Sequence, residues 1–136
     1  MYESLTAFLP RLKGAEYGRL VTDDKNDGSP EHPIRLPFVD YGPAVSELVK
    51  AIYRLAEEHP ELELHSYQAV LKAADIKWGF RSMEEAEVSL LDGKTVMALL
   101  MGAVRADRFS DGALLEFCEN GCVAKWLERL KEIDEE

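Results

Sequence analysis

Arg105 and Arg108 are the residues whose type and spacing point most directly to chemistry. At this spacing two side chains are neighbours on one helix face, and guanidinium groups grip carboxylate and phosphate bidentately. Asp111 follows closely, as an anionic partner for the arginines or as the cap of the next helix. Two readings stay open. In one, Arg105, Arg108 and Asp111 clasp two helices together. In the other they build a site, catalytic or sensory, for a small anionic ligand, joined by Tyr41 and His32 from a proline-rich loop. Arg105 comes directly after an apolar run, so its guanidinium needs a partner in either case.

The other polar candidates are weaker. His32, beside Glu31, has the type of a general base or metal ligand, but no paired His or Cys ligands at metal-binding spacing accompany it. No metal or cofactor is expected. Cys118 and Cys122 lack the C-x-x-C spacing of a redox pair and read as small buried hydrophobes. Trp78 and Phe80 stand in a loop-like segment between Lys77 and Arg81. They form either a contact patch for a partner or a lid over the core. Phosphate-loop, dinucleotide, nucleophile-elbow and zinc-protease signatures are absent. The favoured reading is therefore a non-catalytic binding module that contacts a protein partner or a second copy of itself.

Composition narrows the partners. The chain has 136 residues, 46% apolar and 31% charged, with a net charge of −10. That is the size and composition of one folded domain, here residues 1–136. The acidic balance argues against nucleic acid, whose binding rests on neutralised phosphates, and against anionic membranes. The most apolar run, Val96 to Val104, falls far short of the roughly twenty residues that span a bilayer. Without a signal-peptide pattern at the N-terminus or a disulfide framework, a cytoplasmic location is expected.

These candidates must be held by recognisable elements. Tyr2, Leu5, Phe8, Leu9 and Leu12 predict an opening amphipathic helix that Pro10 interrupts. Tyr17 to Thr22 and Ile34 to Val39 read as the strands of a small hairpin. Pro43 starts a helix with a stripe of Val45, Leu48, Ile52 and Leu55, broken at His59-Pro60. Ser66 is placed to cap a short helix, and Ser82 with Glu85 has capping-box spacing. Lys94 to Arg108 reads as a central helix, apolar on nearly every side. Ser110 or Asp111 would cap the next helix, Asn120-Gly121 would end it, and Val123, Trp126, Leu127 and Leu130 mark the last. The expected fold is α+β, mainly α: about six helices around one core with a small N-terminal β-hairpin.

Three stretches carry a resemblance. They are Asp27-Gly28-Ser29-Pro30-Glu31-His32-Pro33-Ile34 with Pro37-Phe38-Val39-Asp40-Tyr41; Met97 through Gly121, with Arg105-Ala106-Asp107-Arg108-Phe109 and Asp111-Gly112; and Trp126-Leu127-Glu128-Arg129-Leu130-Lys131. Over nearly its whole length the chain resembles an uncharacterised bacterial family known only as a domain of unknown function. The Arg-Ala-acid-Arg-Phe string with its following Asp-Gly is the most specific part. The resemblance implies no activity.

Overall fold

The computed structural model describes residues 1–13, 17–21, 38–109 and 112–136. At the N-terminus the apolar spacing builds two single helical turns, α1 (Glu3–Thr6) and α2 (Leu9–Leu12). The break falls at Ala7-Phe8. Pro10 lies inside the first turn of α2, where its missing N–H deprives no helical carbonyl of a bond. The hairpin follows: β1 (Gly18–Val21) pairs antiparallel with β2 (Phe38–Tyr41), Gly18 facing Tyr41 and Leu20 facing Val39. The second strand runs on to Tyr41, past the Val39 end expected from the sequence. A side chain at Gly18 would meet the Asp40 carbonyl oxygen at 3.0 Å, so a glycine there lets the strands close.

Pro43 opens α3 (Pro43–Glu58), whose buried stripe is Ala44, Val45, Leu48, Ile52 and Leu55. His59-Pro60 ends it, and two short 3-10 turns, Pro60–Leu62 and Leu64–Ser66, lead into α4 (Tyr67–Ala73). The Ser66 side chain makes no capping bond there. The chain then enters α5 (Phe80–Glu85) from Gly79. Ser82 is inside this helix rather than at its cap, because its hydroxyl accepts the Lys77 N–H at 2.9 Å. That bond ties the turn carrying Trp78 to α5.

The central helix is α6 (Gly93–Ala106), buried from Thr95 through Val104. Its cap is Asp92, whose carboxylate accepts the Thr95 N–H at 2.9 Å, so Asp92-Gly93 is a helix start. A Cβ on Gly93 would come within 2.7 Å of the Tyr2 ring carbon Cζ and 2.9 Å of Cε2, which explains why only glycine admits the N-terminal turn here. Two helices complete the chain, α7 (Ala113–Glu119) and α8 (Cys122–Glu135). Gly121, with φ of 85°, makes the left-handed turn between them that a side chain would resist.

The fold is thus α+β and mainly α. Among the described residues it has eight α-helical segments, two of them single turns, and one two-stranded sheet. α4, α7 and α8 pack on α6, and α1 and α2 lie across α8. The backbone N–H of Tyr2 donates to Asp134 at 2.8 Å, holding the first turn against the last helix. Trp126, Phe117, Leu99 and Leu127 form the centre of one core. Among the described residues no helix is long and apolar enough to cross a membrane.

Candidate functional site

The end of α6 sends its side chains in three directions. Arg105 turns toward α3 and α4. Asp107 turns toward the hairpin, and Phe109 toward α5. Each direction makes a different local structure.

Asp107 closes a polar buckle. Its Oδ1 accepts the Tyr41 hydroxyl at 2.7 Å and the backbone N–H groups of Gly112 and Leu114 at 3.0 and 3.4 Å. The Tyr41 oxygen in turn accepts the Leu115 N–H at 3.1 Å. Strand β2, the end of α6 and the start of α7 are therefore joined through one carboxylate and one phenol. The orphan N–H groups of the first turn of α7 are satisfied by side chains remote in sequence. The residue at the N-cap position is Gly112, with φ of 93°, a left-handed conformation that suits glycine. This corrects the placement of the cap at Ser110 or Asp111, both outside the described residues. Burial, and then the bond to Asp107, push the Tyr41 phenol well above its ordinary range. The Tyr41 hydroxyl is thus a structural donor engaged with Asp107.

Arg105 stands at the edge of an open cleft of about 320 Å³ between α3, α4 and α6. Met101 lies one helical turn before it on the same face of α6, and Tyr53 and Glu57 come from α3. Tyr67, at the start of α4, completes the polar wall. The Tyr53 hydroxyl and then that of Tyr67 favour the charged guanidinium and outweigh its partial desolvation. Among the described residues no carboxylate is in salt-bridge contact with Arg105. The polar groups that line the cleft with it include the phenols of Tyr53 and Tyr67. Arg105→Ala is therefore expected to keep the folding free energy within about 1 kcal/mol of wild type, since no buried anion is stranded. A chemical-denaturation curve checks this, and a loss of about 3 kcal/mol or more would mean that a carboxylate depends on the arginine.

The third structure is an apolar groove of about 260 Å³ between α5 and the α6–α7 corner, lined by Trp78, Phe80, Met83, Phe109 and Phe117. Trp78 is half-buried and fixed from three sides. Its Nε1 donates to the Gly102 carbonyl at 3.1 Å, and its ring meets Tyr67 and Phe109 edge-on, with centroids 5.8 and 5.7 Å away. Gly102 permits this, because a Cβ there would come within 3.3 Å of the indole. Phe80 packs on Phe117, centroids 4.8 Å apart, and Phe117 on Trp126. The floor of the groove is thus continuous with the core. Phe109 on its rim is 79% exposed.

The residues singled out from sequence separate accordingly. Trp78 and Phe80 share the groove. Arg105 lines the cleft, while Arg108 is exposed and does not line it. Tyr41 is in the buckle, joined to Asp107 and not to the arginines. His32 and Asp111 lie outside the described residues. Cys118 and Cys122 are free and buried, and desolvation raises the Cys118 thiol to about 12. Among the described residues no group of three or more His, Cys, Asp or Glu side chains is placed to hold a metal ion.

A family model matches residues 2–136, from Tyr2 to the last residue given. The chain belongs to DUF6508, a family of unknown function. No curated protein and no solved structure matches it. The Arg105 to Phe109 string at the end of α6 supplies one residue to the cleft, one to the buckle and one to the groove. Four contributors were missed in the sequence. Asp107 and Phe109 stood inside the quoted string, and an exposed Phe after a buried helix was the available signal. Tyr53 and Tyr67 had none, since only the packing of α3 and α4 on α6 brings them to Arg105.

Proposed function

We propose that this DUF6508 domain is a non-catalytic binding module that takes an apolar segment of another protein into the groove beside Trp78, Phe80 and Phe109. The observation that carries this reading is Phe109, a large aromatic held at 79% exposure on the rim of an apolar groove. Aromatic anchors with fixed rings contribute contact area at low entropic cost, and they dominate binding energetics. The rings here are fixed in advance by the Trp78 hydrogen bond and by edge-on stacking. Glu116 lines the groove, and the sequence neighbours of its aromatic residues, Lys77, Arg81 and Arg108, are exposed cations on a chain of net charge −10. Charge complementarity selects a partner segment with one or two large apolar side chains flanked by Asp or Glu. Two free, buried cysteines support the cytoplasmic location that accompanies this reading. The net charge supports the absence of nucleic acid and anionic membrane from the partner list.

Selection from a displayed random-peptide library tests the proposal on the full chain. The expected result is enrichment of peptides with an aromatic or leucine anchor beside acidic residues. Phe109→Ser should weaken them about tenfold or more while leaving the thermal melt nearly unchanged. Charge reversal at Arg108 and Arg81 should weaken them further in low salt. Enrichment that survives Phe109→Ser would overturn the assignment. A concentration-dependent dimer that Phe109→Ser dissolves would replace the foreign segment with a second copy of this chain.

A further inference from the structure

A second concave surface is independent of the aromatic groove. We infer that the cleft between α3, α4 and α6 binds a small organic monocarboxylate with a short apolar body, gripped by Arg105 together with the Tyr53 and Tyr67 hydroxyls.

The polar lining comprises Arg105, Tyr53, Tyr67, His65 and one acid, Glu57. An arginine carries five N–H donors in a planar fork and cannot be deprotonated in a protein. The Tyr53 and Tyr67 phenols line the same cleft, and a phenol can donate through its hydroxyl hydrogen as well as accept through its oxygen. The Tyr67 oxygen accepts the Gln68 Nε2–H at 3.3 Å, which leaves its own hydroxyl hydrogen as a donor. Guanidinium and phenol donors thus line one cleft. A carboxylate matches the fork geometrically and accepts from more than one side.

The remainder of the cleft selects among anions. Its floor is apolar, formed by Met101, Leu64, Ala56 and Pro60, and Met101 and Leu64 are buried. An aliphatic or aromatic body of a few carbons covers this floor. Glu57 also lines the cleft, and its negative charge opposes a second charge on the ligand. A monoanion with an apolar body is favoured over a phosphate dianion or a dicarboxylate. The volume of about 320 Å³ lies at the small end for ligand pockets, which fits a metabolite and not a nucleotide.

The test is an amide-resolved NMR titration of the full chain with sodium hexanoate, sodium benzoate and inorganic phosphate as the probes. Hexanoate or benzoate should give saturable shifts at residues 64–68 and 101–106 with a dissociation constant of about 1 mM or below. Phosphate should give none there. Tyr53→Phe removes a single hydroxyl, keeps the ring, and should weaken the carboxylate about tenfold. Arg105→Gln should abolish saturation. The proposal is overturned if neither carboxylate saturates, if phosphate binds in their place, or if Tyr53→Phe binds as tightly as wild type. The last of these decides the matter even if the Arg105 variant does not fold.

Discussion

Asp107→Ala is expected to lower stability by about 2–4 kcal/mol, roughly 10 °C in the melting temperature for a domain of this size. The carboxylate serves three donors at once, the Tyr41 hydroxyl and the N–H groups of Gly112 and Leu114. Removing it leaves these groups half-buried without their acceptor, and an unsatisfied donor costs more than a hydrogen bond gains. Tyr41→Phe should cost less, about 1–2 kcal/mol, because Asp107 then still holds the start of α7. In the double variant the two losses should fall short of their sum, as they do for members of one network. Thermal melts of the three variants are the measurement. An Asp107→Ala protein melting within about 2 °C of wild type would show that water serves these donors as well as the carboxylate does.

The second large effect is alkaline unfolding. The Cys118 thiol is raised from 9.0 to about 12, chiefly by desolvation. Tyr41 is raised above 10.0 by burial and then by Asp107. In each case the folded state holds the proton more tightly than the unfolded chain does. The sign follows: the stabilisation is fully present below pH 9 and is lost as pH rises toward the folded values. Stability should be flat from neutrality to about pH 9. Above that it should fall by about 1.4 kcal/mol per pH unit for Cys118, with Tyr41 adding to the slope beyond about pH 10. Urea midpoints in buffers from pH 8 to 11.5 would measure the slope. Cys118→Ala should reduce the slope between about pH 9 and 10, with the Cys122 thiol, also raised by desolvation, supplying what remains. An unchanged slope in that variant would assign the alkaline loss to another group.

The helices were legible where local sequence decides them. The Val45-Leu48-Ile52-Leu55 stripe predicted α3, Pro43 its start and His59-Pro60 its end. Apolar residues around the Val96 to Val104 run predicted a buried α6. Errors arose where a side chain had two uses. Ser82 has the spacing of a cap, yet its hydroxyl serves the Lys77 N–H from within a helix. Pro10 reads as an interruption from the sequence and sits instead within the first turn of α2. The site was less legible still. Trp78 and Phe80 were visible as an aromatic pair beside cations, and they share one groove. Arg105 was visible as an arginine in need of a partner, but its phenols come from α3 and α4, and only tertiary packing brings them near. Spacing alone placed Arg105 and Arg108 on one face, whereas the helix ends at Ala106 and Arg108 follows a different course.

The two indoles of this chain occupy very different optical surroundings. Trp126 has no exposed surface, and its Nε1 has no hydrogen-bond partner among the described residues. Its emission should be blue-shifted and protected from aqueous quenchers. Trp78 is half-buried, with its nitrogen on the Gly102 carbonyl and its ring between Tyr67 of the cleft and Phe109 of the groove. Iodide or acrylamide should reach this indole first. With Trp126 silent to solvent, quenching of the native fluorescence becomes a label-free gauge of the aromatic wall that the cleft and the groove share.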